Sequence, residues 1–128
     1  MSYFPSAIIG SIKAANFNVT TDQGIAVQIP AGFTKYVVTG MVAYNASISL
    51  TTAVGGLYNA TSKPGGGILV AAAQVYTALT ASGKYVPATL AALATTDVQT
   101  AATMYLSLTI AQGAAATADV AILGYFLP

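Results

Sequence analysis

The sequence predicts an all-β protein: a single antiparallel β-sandwich, jelly-roll-like, of about eight strands. Apolar residues alternate with polar ones through much of the chain, and a period of two is typical of strands with one face on a core. Clusters of glycine and proline separate these runs at intervals of about 8–12 residues, as they do in sandwiches and barrels. The length of 128 residues suits one domain that can bury a core without disulfides.

In the first half of the sandwich, residues 25–29 alternate Ile, Val and Ile with Ala and Gln, which predicts a strand. The Pro-Ala-Gly sequence at 30–32 predicts a turn. Residues 35–44 are rich in β-branched and aromatic side chains and predict a second strand. A third alternation occupies residues 48–50, and the glycine pair at 55–56 predicts the turn after it.

The middle of the chain has a weaker alternation. The Lys-Pro-Gly-Gly-Gly sequence at 63–67 and the Ser-Gly sequence at 82–83 both predict turns. Residues 68–79 fit either a strand or a buried helix, and their β-branched positions favour the strand. Residues 88–94, mostly Ala and Leu, predict a short helical turn.

The last quarter of the chain returns to a clear period of two. Residues 104–110 alternate Met, Leu, Leu and Ile with Tyr, Ser and Thr, which predicts a strand. A turn is predicted at 112–113, and the small residues at 114–118 form the connection to the next strand. That last strand is predicted over 120–126.

Composition excludes several classes of function. The chain contains no Arg, Glu, His, Cys or Trp, which excludes a thiol or His-dependent enzyme, a Cys/His zinc site and a disulfide scaffold. A net charge of +1 gives no field that would attract a nucleic-acid backbone, so no nucleic-acid partner is expected. No run of about 18 apolar residues and no signal-peptide pattern is present, so we expect no membrane partner.

Candidate catalytic and metal-ligating residues are few. The three acids, Asp22, Asp97 and Asp119, are far apart in sequence and lie where turns are predicted. We interpret them as bonding to nearby backbone in those turns, with a calcium site as the alternative. The pair Ser62-Lys63 lies in a Gly/Pro turn, where a lysine stays solvated and cannot act as a base. We therefore predict no enzyme, no catalytic residue, no cofactor and no metal.

The scarcity of charged residues indicates that much of the surface contacts other protein subunits. An outward set of Ala, Thr, Ser, Asn, Gln and Tyr costs little to desolvate, whereas free domains usually keep mixed charges that oppose association. Most of the tyrosines lie in strand-like runs, where we expect them to pack on sheet faces. The composition thus favours a homo-oligomer with much of its surface in interfaces.

Three stretches, residues 30–39, 45–58 and 104–119, resemble small β-sandwich virion proteins of tailed bacteriophages, of the head-decoration (cement) or head-fibre type. The similarity covers roughly residues 25–128 and consists of the strand-and-turn rhythm with its Ala/Thr bias. It implies an N-terminal arm at 1–20 before the sandwich at 21–128. It also implies a non-enzymatic subunit, commonly a homotrimer seated on the major capsid protein. Its location would be the virion, after assembly in the host cytoplasm.

The two ends of the chain share an aromatic pattern, with Ser-Tyr-Phe-Pro at 2–5 and Gly-Tyr-Phe-Leu-Pro at 124–128. Chain ends fray unless something holds them, so aromatic ends indicate a contact with the domain or with a neighbour. The predicted interface residues are three from each end: Tyr3, Phe4, Pro5, Tyr125, Phe126 and Leu127.

Two other functions stay open at this point. One is a receptor- or glycan-binding module of a fibre or tail, which exposed tyrosines in loops would favour. The other is a self-assembling coat or tube subunit, which would polymerise without a partner shell.

Overall fold

The computed structural model describes residues 7–128 and contains two antiparallel sheets of four strands each, which confirms the predicted β-sandwich. The strands are β1 (Ala7–Asn16), β2 (Gln23–Ala26), β3 (Lys35–Tyr44), β4 (Val54–Tyr58), β5 (Ile68–Val70), β6 (Tyr85–Pro87), β7 (Thr103–Ile110) and β8 (Thr117–Leu127). A 3-10 turn (Gly65–Gly67) precedes β5, and the short helix α1 (Ala92–Thr96) lies between β6 and β7.

The strand order is that of a jelly roll. The first sheet has the order β1-β8-β3-β6 and the second sheet has the order β2-β7-β4-β5. β1 pairs with β8, β2 with β7, β3 with β6 and β4 with β5, all antiparallel. The first four strands therefore pair with the last four in reverse order, as in a long hairpin folded over into two layers. The predicted jelly-roll-like architecture is confirmed.

The core lies between the two sheets and is filled from alternate positions of the long strands. Val38 and Met41 of β3 face Leu106 and Leu108 of β7 within one cluster, and each is at most 2% exposed. In β7 the alternation that predicts the strand also fills the core, because successive side chains of a strand point to opposite faces. In β3 a register shift between Val38 and Gly40 moves the inward position on to Met41.

The N-terminal segment joins the sandwich. Residues 7–16, which the sequence assigns to an arm at 1–20, form β1 and pair with β8 at the edge of the first sheet. Phe17 is fully buried. The boundary at residue 20 therefore does not separate these residues from the sandwich, and residues 1–6 of the predicted arm lie outside the described residues. Two register shifts in β1 break the period of two, which explains why the pattern does not reveal this strand.

Three predicted elements differ from the structure. Residues 48–50 form no strand, and the N–H of Leu50 donates to Leu79 O at 2.9 Å instead of joining a ladder. The glycine pair at 55–56, predicted as a turn, lies inside β4. Of residues 68–79, only the first three form a strand, and the rest is a loop that buries Tyr76.

Two short elements complete the fold. The helix α1 has 5 residues and overlaps the helical turn predicted at 88–94. β6 has 3 residues, too few to show an alternation, and the sequence does not reveal it. Over residues 7–128, no helix is both long and apolar enough to cross a bilayer.

Candidate interaction surface

The outward side of the first sheet carries a cluster of apolar side chains, which we call the outer face. Polar residues also lie on this outward side, namely Ser11, Lys13, Lys35 and Asp119. The outer face is formed by the apolar side chains of β1, β8, β3 and β6 on that side. These are Ile8, Val37, Val42, Tyr44, Tyr85, Pro87, Ala121, Leu123 and Tyr125.

Strand register sets the arrangement of the outer face. Ile8 lies beside Leu123, and Tyr44 lies beside Tyr85. Ile8 is 64% exposed and Tyr85 is 67% exposed. Contiguous apolar patches larger than a few hundred square ångströms are rare on monomeric proteins and mark sites of interaction. The outer face is therefore the candidate functional surface.

The middle of the second sheet is covered on its outward side by the chain itself, whereas Gly24 and Ala26 of the edge strand β2 are exposed. Tyr58 and Ser107 point away from the core, yet they are only 2% and 0% exposed. Asp22 lies over them and accepts hydrogen bonds from Ser107 Oγ at 2.7 Å and from the N–H of Ser62 at 2.8 Å. The middle of the second sheet, where Tyr58 and Ser107 lie, therefore offers no uncovered apolar face.

One ion pair lies at the margin of the outer face. Lys13 Nζ is 3.6 Å from Asp119 Oδ2 and 5.8 Å from the centre of the Tyr44 ring. Asp119 also accepts hydrogen bonds from the N–H of Ala14 at 2.8 Å and from Asn45 Nδ2 at 3.1 Å. The two charges neutralise each other, so the pair adds no net charge to the surface.

Two of the three carboxylates do not form the local bonds to turn backbone that the sequence predicts. Only Asp97 bonds locally, accepting from Thr96 Oγ1 at 2.7 Å. Asp22 and Asp119 instead join segments that are 40 to 105 residues apart in the chain. Turn motifs are visible in sequence, but partners brought together by sheet pairing are not. Within the described part of the chain, no three acidic side chains lie close enough to hold a metal ion.

Hydrogen bonding holds both of these carboxyl groups in the charged form. The Ser107 hydroxyl and the Ser62 N–H lower the pKa of Asp22. The Ala14 N–H and the Asn45 amide lower the pKa of Asp119, with a smaller contribution from Lys13. Hydrogen bonds to a carboxylate favour its ionised form, so each group stabilises the fold only while it is charged.

We expect the free energy of unfolding to fall when the pH drops below about 4, the usual range of an unfolded Asp. Because both pKa values are lowered in the folded state, the unfolded chain takes up protons first. The stabilisation is present above the unfolded pKa and is lost as the pH falls through the folded pKa. Urea denaturation at a series of acid pH values measures this slope. An equally steep slope in the Asp22→Asn/Asp119→Asn double variant would contradict the assignment.

The six predicted interface residues fall into three groups. Tyr3, Phe4 and Pro5 lie outside the described residues. Tyr125 and Leu127 alternate onto the outward side of β8, and Tyr125 belongs to the outer face. Phe126 alternates inward, with its ring centre 6.5 Å from that of Tyr36 and 6.1 Å from that of Phe33. Their role in an interface stays a prediction.

Sequence reasoning did not find most of the outer face. Ile8 belongs to a strand that the pattern did not reveal, and Tyr85 belongs to one that is too short to show a pattern. The signal was present only as a bias, since Lys35 and Asp119 are the only charged residues among the outward positions of β3 and β8.

Comparison of the chain with models of protein families, with curated proteins and with solved structures finds no match. The candidate function therefore has to be argued from the surface itself.

Proposed function

We propose that the chain is a non-enzymatic structural subunit of a virus particle, a decoration or cement protein that stabilises a bacteriophage capsid through protein–protein contacts. The outer face of the first sheet carries this proposal. It is apolar and is not covered by residues 7–128, and the Lys13–Asp119 ion pair at its margin is already satisfied internally.

The physical basis is the low cost of covering such a surface. Removing apolar area from water contributes about 25 cal/mol per Å² before the costs of association are subtracted. Ile8, Val42 and Leu123 bring no charge that would have to be desolvated. Repetition of one contact around a symmetry axis multiplies this gain.

The resemblance described above supplies the rest of the proposal. It implies a homotrimer seated on the major capsid protein and a location in the virion. In this arrangement the outer face packs against the neighbouring copies, and the aromatic N-terminal residues at 2–5 reach the shell.

Multi-angle light scattering across a range of protein concentrations tests the self-association. We expect a discrete closed oligomer, a trimer, that persists on dilution. The variant Ile8→Asp/Tyr85→Asp places two charges on the outer face at positions that are already exposed, so it should fold and run as a monomer. The matched control Val75→Asp/Ile110→Asp alters two exposed residues away from this face and should keep the oligomer.

Three results would overturn this proposal. A wild-type chain that stays monomeric at high concentration has no self-contact to assign to the outer face. Loss of the oligomer in the control variant, with retention in the outer-face variant, would place the contact elsewhere. Open filaments or tubes in place of a closed oligomer would favour the coat or tube subunit.

A further inference from the structure

A second, chemically different site lies next to the end of α1. It is an open groove between the residue after β4, the 3-10 turn and the segment that follows the helix. We call it the amide groove, and it is lined by Asn59, Gly66, Asp97, Val98, Gln99 and Thr100. From this lining we infer that the amide groove binds a neutral, hydroxyl-rich ligand, namely an uncharged saccharide. The inference goes beyond the structural role proposed above and does not depend on it.

The wall of the amide groove is held rigidly by one tyrosine of the core. The N–H of Gln99 donates to Tyr36 O at 2.8 Å, and the N–H of Tyr36 donates to Gln99 O at 3.0 Å. The Tyr36 hydroxyl donates to Ala101 O at 2.7 Å. Because Tyr36 is fully buried, residues 99–101 are anchored to the core at both ends. A fixed wall loses little conformational entropy when a ligand binds.

A buried amide with spare hydrogen-bonding capacity faces the groove. Gln99 is 4% exposed, yet its side chain makes only two long hydrogen bonds, from Asn59 Nδ2 to Oε1 at 3.4 Å and from Nε2 to Asp97 O at 3.3 Å. Both distances exceed the usual 2.9–3.0 Å of a good N–H···O bond. An amide can donate two bonds and accept two, so one donor and one acceptor position of Gln99 remain available.

Two further polar side chains complete the set. Asp97 and Thr100 are exposed on the groove. Asp97 accepts one bond through Oδ1 from Thr96, which leaves Oδ2 without a hydrogen bond among the described residues. Carboxylate, amide and hydroxyl groups thus converge on one open space, and a few such groups that fix a ligand's orientation are typical of small-molecule sites.

The 3-10 turn leaves room for a ligand. A Cβ built on Gly66 would meet no atom within 4 Å, so the space above its backbone is open. At Gly67 a Cβ would instead overlap Asn59 Oδ1, so the absence of a side chain there is what allows the Asn59 amide to occupy its position. The glycine run of this turn therefore both positions one polar group and keeps the groove open.

The character of the lining selects the class of ligand. Among the described residues, the lining includes one carboxylate and no cation, which disfavours phosphates and acidic sugars. Sugar hydroxyls can donate to Asp97 and both donate to and accept from the amides. Val98, 50% exposed, offers a small apolar contact for the C–H face of a sugar ring. An uncharged saccharide meets all three requirements.

Amide-resolved NMR titration of the full-length protein tests this inference. The probes are glucose, galactose, mannose, N-acetylglucosamine and tetrasaccharides of each, with 3′-sialyllactose as the anionic comparison. We expect at least one neutral probe to shift the signals of Asn59, Gly66 and residues 97–100, with a Kd on the order of 1 mM because the groove is open. Gly66→Leu should weaken that binding at least roughly tenfold by filling the groove.

Gly83→Leu is the matched control. Gly83 also lies in an exposed turn where a Cβ meets nothing within 4 Å, so both variants should fold, but only Gly66 lines the amide groove. The inference is overturned if no neutral probe shifts these signals. It is overturned equally if Gly66→Leu binds as well as Gly83→Leu, or if sialyllactose binds more tightly than every neutral probe. These results do not involve the oligomeric state, so they are independent of the light-scattering test.

Discussion

Replacing Gly56 by Ala is expected to destabilise the fold by about 3 kcal/mol or more. Gly56 lies inside β4, where a Cβ would overlap the carbonyl oxygen of Val70 and lie 2.7 Å from Ala71 O. Both obstacles are backbone atoms of the neighbouring chain segment, so no side-chain rotation can relieve the overlap. Either the strand pair β4–β5 must separate or the backbone must shift. Urea denaturation followed by circular dichroism at one fixed protein concentration measures the loss.

The control for this prediction is Gly83→Ala. A Cβ at Gly83 meets no atom within 4 Å, and its backbone does not have a positive φ. Ala is then neutral or slightly stabilising, by up to about 1 kcal/mol, because it restricts the unfolded chain. Equal stabilities for the Gly56 and Gly83 variants would show that β4 and β5 do not approach closely enough for a Cβ at residue 56 to overlap Val70 O.

The second large effect is expected at Tyr76. This residue lies in the irregular loop after β5, yet it is fully buried. Its hydroxyl donates to Gly55 O at 2.9 Å, and its ring meets the ring of Phe17 edge to face with centres 5.1 Å apart. Burial raises the pKa of the hydroxyl above its ordinary value, so this group stays protonated and remains a donor.

Two substitutions separate the contributions of the Tyr76 ring and hydroxyl. Tyr76→Ala removes both and leaves a cavity, with an expected loss of about 3–5 kcal/mol. Tyr76→Phe keeps the ring and removes only the bond to Gly55, with an expected loss of about 1–2 kcal/mol. Ile110→Ala serves as the control, because Ile110 is 50% exposed and lies away from the outer face, so its loss should stay within about 1 kcal/mol. If Tyr76→Phe were as damaging as Tyr76→Ala, the hydrogen bond rather than ring packing would hold the loop.

The sequence predicts the long regular strands well. β7 shows the period of two because it buries one face in a single core. β3 was predicted from its β-branched and aromatic residues, which remain visible despite the register shift between Val38 and Gly40. The period of two also places most of β8. β1 was not predicted, because its two register shifts interrupt the alternation of inward and outward side chains.

A glycine can mark either a turn or a close approach of two chain segments, and the sequence does not distinguish these two roles. A glycine pair at 55–56 reads as a turn because turns need its conformational freedom. In the structure Gly56 is required for close packing of neighbouring segments inside a sheet. Which meaning applies depends on what lies opposite the residue, and that is decided by strand pairing.

The two candidate sites differ in how far the sequence anticipates them. The scarcity of charge indicates that some surface is made for contact, but only strand order brings Ile8, Leu123 and Tyr85 onto one face. The amide groove leaves no signal in the sequence, since Asn59 and Gln99 are 40 residues apart and meet through a single side-chain contact.

By itself, the sequence determines the fold class and the chemistry available to the chain. Alternation sets a two-layered β structure, and the missing Cys, His, Arg and Glu limit the side chains to neutral polar and apolar groups with few charges. Tertiary structure alone decides which of these groups meet. Asp119 finds Ala14, 105 residues away, only after β1 pairs with β8. Local patterns report burial on one face of a strand, whereas long-range partners follow from the global strand order.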